Sequence, residues 1–156
     1  VLIVRENNKL KKTIKEIDDI KTRFKDIICV DTTDWANPTP SFINQLYCMI
    51  ELSRVITKGA LMRDEFRGAH YKPEFDLKQP SKFDPHEYID YLEKKNYGEV
   101  SEDSFPEGHL EYMKRFEANN KKWLKSTIAE YKNDKPEISY ESVDTSIVTP
   151  RPRKYD

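Results

Sequence analysis

"TPSFINQLYCMIELSRVITKGALMRDEFRG", residues 39–68, decides how the rest of the chain must be arranged. Thr39 reads as an N-cap and Pro40 as the first helical position, where a missing N–H costs nothing. Phe42, Leu46, Met49, Ser53, Ile56 and Ala60 recur at three- and four-residue steps, and Ile43, Tyr47 and Ile50 widen the stripe. Toward the C-terminal half the stripe narrows to Ser53, Gly59 and Ala60, small residues that let another backbone approach. Gly68 reads as the left-handed residue that closes a helix. The spacing therefore predicts one long helix over 40–67, with an apolar stripe that needs a partner.

The partner lies upstream. Leu10, Ile14, Ile17, Phe24 and Ile28 give residues 5–28 the same period, and Lys12/Glu16, Lys15/Asp19 and Asp19/Arg23 sit at i,i+4 on the other face. "CVDTTDWANPTP" separates the two patterns with polar residues and two prolines. An antiparallel helical hairpin over 1–71 follows, with Leu46 packed against Ile14 or Ile17, Trp35 closing the connection, and Trp35 and Trp123 as core anchors.

Downstream the pattern changes. Residues 72–122 read as a helical excursion from the main fold. Asp84, Pro85, Glu87 and Gly98 mark the cap, first turn and stop of one short helix, and a second starts near Ser104. Residues 123–156 read as extended: "STIAEY" and "EISYESVD" flank "KNDKP" as a β-hairpin, and "SIVTPRPRKYD" is an extended tail. The fold class is mainly α.

At 156 residues the chain holds one core. Its 27 basic and 28 acidic residues cancel, which removes the global field that nucleic acid or an anionic membrane would need. No apolar run approaches the ~20 residues of a membrane span. Cys29 and Cys48 each lie inside an apolar helical pattern and read as structural thiols of a reducing compartment. "VLIV" opens the sequence without an initiator Met, so the chain reads as a piece of a longer protein.

The densest ionic stretch is "RDEFRGAHYKPEF", residues 63–75. Arg63, Glu65, Arg67 and His70, with Gly68 among them, support two readings. One is a helix C-terminus, with basic residues complementing the dipole and Gly68 as its cap. The other is a cluster that binds an acid or another domain. His70, His86 and His109 have no metal-ligand spacing, and no phosphate-cradling glycine loop or nucleophile elbow is present. The residues by themselves describe a helical module without a self-contained active site.

"SRVITKGALMRDEFRGAHYKPEF", "KWLKSTIAEY", "ISYESVDTSIV" and "PRPRKYD" together resemble the C-terminal region of the flavoprotein subunit of succinate dehydrogenase and fumarate reductase. Glu65, Arg67, Gly68, Ala69 and His70 match that family's pattern, Phe66 stands where serine is usual, and Trp35-Ala36-Asn37 resembles its W-x-N turn. The resemblance covers residues 1–75 and 123–156. It implies a three-helix-bundle-like domain, with "VLIV" as the tail of a preceding helix and 72–122 as an insertion. It also implies an FAD-dependent parent that interconverts succinate and fumarate on the cytoplasmic face of the inner membrane. The partners implied are the flavin-binding and capping domains of the same chain, an iron–sulfur subunit and membrane-anchor subunits, with no nucleic acid. FAD belongs to that parent and not to this stretch, so no catalytic, cofactor-binding or metal residue is carried over. Arg63, Glu65, Arg67, Gly68 and His70 become candidates for a domain interface. A free-standing helical adaptor for protein partners is the alternative.

Overall fold

Two amphipathic helices pair first. The computed structural model describes residues 3–153. Helix α1 runs over Asn7–Phe24 and α2 over Thr39–Met62. They are antiparallel, and the paired residues give the register. Phe24 meets Tyr47, Lys21 meets Glu51, Asp18 meets Arg54 and Asn7 meets Asp64. The numbers of each pair sum to 71 or 72, so one helix descends as the other climbs.

That register corrects the expected contacts. Leu46 falls opposite residues 25–26, beyond the end of α1 at Phe24, and it is 38% exposed rather than packed on Ile14 or Ile17. The face of α2 turned to α1 carries Tyr47, Glu51 and Arg54; the buried residues of α2 are Ile50, Thr57 and Ala60, and those of α1 are Leu10 and Ile17. Of the three residues that widened the stripe only Ile50 is buried, and within the stripe itself only Ala60 is. Phe42 and Met49, at its centre, are 69% and 62% exposed.

Both helices are shorter than their periodicity. After Phe24 the N–H groups of Lys25, Asp26 and Ile27 bond back to the carbonyls of Thr22, Arg23 and Phe24, a tightening that ends α1 before Ile28. Cys29 therefore lies in the connection, half-buried, while Cys48 is exposed on α2; both are free thiols. The connection is closed by hydrogen bonds. The Asn37 side chain donates to the carbonyls of Asp31 and Thr33 and accepts the N–H of Thr39 at 2.9 Å; Thr39 is the first residue of α2 and Pro38, not Thr39, is its N-cap. Trp35 takes no part in this closure and is 90% exposed, contrary to its expected place as a core anchor.

The chain then leaves the helix pair. Helix α3 spans Glu87–Tyr97 and α4 His109–Trp123. Gly98 ends α3 at φ +73°, as its sequence predicts, but the helix starts later than expected: Asp84 accepts the His86 N–H and Glu87 reaches back to the Asp84 N–H in a turn that precedes α3, and His86, not Asp84, is the N-cap. Helix α4 starts later than Ser104: a single 3₁₀ turn over Glu102–Ser104 intervenes, and Gly108, at φ +79°, precedes the first turn. Phe83, Tyr88, Tyr91, Leu110, Tyr112 and Met113 form a buried cluster. Phe83 packs edge-on against Tyr112 at 4.9 Å, and Tyr88 against Phe116 at 5.0 Å. These faces, thin in sequence, make a core because four of the six residues are aromatic.

Strands β1 (Lys125–Lys132) and β2 (Lys135–Ser142) form the predicted hairpin. Asn133 and Asp134, at φ +50° and +61°, make its two-residue turn. Trp123 is buried, edge-on to Tyr140 at 5.7 Å. The fold is mainly α with one antiparallel hairpin. It divides into two compact units, Val1–Glu74 with Thr127–Ser139, and Phe75–Ser126 with Tyr140–Asp156. Val1 and Leu2 of "VLIV", and Lys154, Tyr155 and Asp156 of the tail, lie outside the described residues; Ile3 and Val4 are exposed and not helical.

Candidate docking site

The ionic cluster follows from a break in α2. The periodicity extends to residue 67, yet the helix ends at Met62 and Arg63 is extended, at φ −99° and ψ 95°. The charges explain why. In an extended chain residues 63, 65 and 67 share one face, whereas in a helix residue 65 would project away from the other two. Extension lets Arg63 Nε donate to Glu65 Oε1 at 2.6 Å and Arg67 Nε to Glu65 Oε2 at 2.8 Å. Glu65 is fully buried between the two guanidinium groups. The opposite face carries Asp64, which pairs with Lys72 at 2.6 Å, and Phe66, edge-on to Tyr71 at 5.0 Å.

Lys72 replaces the expected glycine cap. Its buried ammonium donates to the carbonyls of Ala60, Leu61 and Arg63 at 3.2–3.3 Å, satisfying the end of α2 with a full positive charge. Gly68 instead serves a tight turn six residues beyond the end of α2. Arg67 and His70 exchange backbone hydrogen bonds of 3.2 and 2.9 Å across it, with Gly68 at φ +55°.

His70 is held by two contacts that settle its tautomer. Nε2 faces the Arg63 carbonyl at 2.8 Å and must carry the hydrogen, because a carbonyl only accepts. Nδ1 then accepts from Arg5 Nη1 at 2.5 Å. Burial lowers the pKa of His70, with help from the charges of Arg5 and Lys72 and against the hydrogen bond to Arg63. The neutral ring is a strut between the segment before α1 and the segment after α2.

The structure thus gathers Arg63, Glu65, Arg67, Gly68 and His70 in one place. It adds Arg5, Asn7, Asp64 and Lys72, which sequence spacing passed over. Asn7 donates to Asp64 at 3.2 Å through its side chain and to Glu74 at 3.2 Å through its backbone N–H. Lys72, inside the quoted stretch, had one signal: a lysine shortly after a helix end. Arg5 had none, being far away in sequence.

A second network locks the hairpin turn to the helix pair. Lys21 donates to Glu51 and Asp134, and Arg54 bonds to Asp18, Glu51 and the Asp134 carbonyl. Burial opposes the charge of Lys21, but its hydrogen bonds to Asp134, Glu51 and Tyr131 raise its pKa. The same bond from Lys21, with that from Tyr131, holds Asp134 down at about 2.

Beside these networks α2 presents Phe42, Met49, Leu52 and Ile56 to solvent, an apolar row of the kind that a partner surface covers. No group of His, Cys, Asp and Glu among the described residues could hold a metal ion. None of the helices described is long and apolar enough to cross a membrane.

The chain belongs to the family "Fumarate reductase flavoprotein C-term", whose model matches residues 1–155 and so runs through 76–122 as well. It is 35% identical over 157 aligned positions to the succinate dehydrogenase flavoprotein subunit of Bacillus subtilis (strain 168), covering 99% of this chain and 20% of that one. It is 26% identical over 145 positions to the fumarate reductase flavoprotein subunit of Helicobacter pylori (strain J99), covering 91% of this chain and 15% of that one. An uncharacterized FAD-dependent oxidoreductase of Methanocaldococcus jannaschii is 33% identical over 75 positions. The chain therefore spans a fifth or less of the length of these relatives. No solved structure matches it.

Proposed function

We propose that this chain is the C-terminal part of an FAD-dependent flavoprotein that interconverts succinate and fumarate, and that its contribution is docking and not chemistry. The observation that carries the reading is the Glu65 clamp. A fully buried carboxylate holds Arg63 and Arg67, and the Arg67 side chain keeps 33% of its surface exposed with its direction already set. Such a guanidinium is preorganised to meet carboxylates or backbone carbonyls of a neighbouring domain. Gly68 permits the tight turn that presents it, and His70 props that turn from behind.

When bound in the parent, FAD exchanges a hydride with the substrate. This chain's residues do none of that step. Arg63, Glu65, Arg67, Gly68 and His70 form the interface toward the flavin-binding and capping domains, and the exposed row of α2 extends it. The iron–sulfur and membrane-anchor subunits complete the assembly, which lies peripherally on the cytoplasmic face of the inner membrane. In this reading residues 1–71 form the helical-bundle segment, 72–122 an insertion with its own core, and 123–156 the hairpin and tail.

The test is Arg67→Ala in the full-length flavoprotein, read as assembled fraction and as turnover per bound flavin. The assembled fraction should fall while turnover per flavin stays at the parental value. Normal assembly with a thousandfold loss of turnover per flavin would make the cluster catalytic and end the docking reading.

A further inference from the structure

Between the C-terminal half of α2, the hairpin and the R-G-A-H turn lies a cavity of about 340 Å³. Its polar wall is Arg5, Arg63 and His70, and Val55, Ala60 and Ile138 are on its apolar wall. Arg5 is the unusual member. Among the described residues it meets no carboxylate, although Lys72, Arg63 and Arg67 each have one. Its Nη1 is spent on His70 Nδ1, while its Nε is buried with no hydrogen-bond partner. What Arg5 brings to the cavity wall is a guanidinium whose charge no carboxylate among the described residues offsets, the kind of edge that a carboxylate fits. His70 offers no competing acceptor to this edge, since its Nδ1 already takes Nη1 and its Nε2–H points to the Arg63 carbonyl.

We propose that this cavity binds a carboxylate group on a short aliphatic stem, with Arg5 as the anion anchor and Val55, Ala60 and Ile138 around the stem. The stem is accommodated because Gly59, on the cavity wall, has no side chain; a Cβ there would meet only Thr127 Cγ2, at 4.0 Å. The carboxylate can come from a free short-chain acid or from the side chain of a docked protein, the same chemistry in both cases. The cavity shares Arg63 and His70 with the docking cluster, while Arg67, whose substitution tests the docking role, lies outside its lining.

The experiment titrates the full chain with sodium butyrate, and in parallel with N-acetyl-glutamate N-methylamide as a capped side chain. Sodium chloride at matched ionic strength is the reference. The readout is the His70 imidazole nitrogen resonances. Butyrate should shift them saturably where chloride does not. The affinity should drop at least tenfold in Arg5→Gln, and also in Gly59→Leu, which fills the cavity without removing charge. Binding of the capped glutamate assigns the site to a docked side chain; binding of butyrate alone assigns it to a free acid. No shift with either probe, a shift reproduced by chloride, or unchanged affinity in a folded Arg5→Gln or Gly59→Leu chain overturns the proposal.

Discussion

The ammonium of Lys72 lies 2.6 Å from Asp64 Oδ1 and, fully buried, closes the C-terminus of α2 through three backbone carbonyls. The pair is the hinge between helix and extended chain. Lys72→Met keeps the stem and removes the donors, so Asp64 loses this ion pair and the Ala60 and Leu61 carbonyls lose this donor, while the Arg63 carbonyl keeps His70 Nε2–H. We expect a cost of about 1–3 kcal/mol, the range for buried groups deprived of a hydrogen-bond partner. Urea unfolding measures it, and amide exchange at the end of α2 should quicken. A variant as stable as the parent would show that solvent satisfies these carbonyls equally well.

Glu65 is less replaceable than either arginine. Glu65→Gln removes a charge that compensates two guanidinium groups at once, and breaking such a buried pair costs about 3–5 kcal/mol. Arg67→Ala leaves Glu65 still paired with Arg63 and should cost less in the isolated chain. Denaturant midpoints of the two variants decide the order, and the reverse order would contradict the clamp.

Leu10 and Leu46 have opposite fates despite equal chemistry. Leu10 is buried on α1, and truncation to alanine should cost about 2–5 kcal/mol through lost burial and a cavity. Leu46→Ala should cost well under that, since the side chain sits beyond the end of its partner helix. Equal losses in thermal unfolding would mean that the helix register is different.

Two glycines should respond in opposite directions. Gly59 lies inside α2 with room for a Cβ, so Gly59→Ala should stabilise by up to about 1 kcal/mol from helix propensity. Gly68 sits at φ +55°, where an L side chain is strained, so Gly68→Ala should destabilise by about 1 kcal/mol or more. Differential scanning calorimetry on both variants gives the two signs directly.

His70 makes the fold sensitive to mild acid. Its folded pKa lies below the ordinary 6.5, so around that pH the unfolded chain binds more protons than the folded one. The sign follows: stability is full above about pH 6.5 and falls as pH drops toward the folded value. The depressed pKa of Asp134, about 2, acts lower still: its contribution is present above the ordinary carboxylate range and is lost as pH falls toward 2. Unfolding free energy measured at pH 7.5 and 5.5 should fall in the parent and fall less in His70→Gln. A parallel fall in both chains would assign the effect to other groups.

The comparison of α2 with α3 shows what can be read locally. Helix α3 carries its own start and stop, because Asp84, Glu87 and Gly98 act on backbone groups within a few residues. The hairpin turn at Asn133 and Asp134 is local in the same sense. The family pattern around Arg67 and His70 was also legible, since residue identity alone carries it.

The end of α2 and its buried face were not legible, and the reason is physical. Helical period places Phe42, Met49 and Ile56 on one stripe, but which stripe is covered depends on where α1 begins and ends, and α1 stops at Phe24. The period likewise runs through residue 67, but satisfying Glu65 with two arginines, and the last carbonyls with Lys72, outweighs the helical hydrogen bonds given up. The amino-acid sequence determined the helices, the turns and the family. The tertiary structure alone decided which apolar row stays open and that Arg5 meets His70 across 65 positions, because those outcomes are set by contacts between segments that share no local pattern.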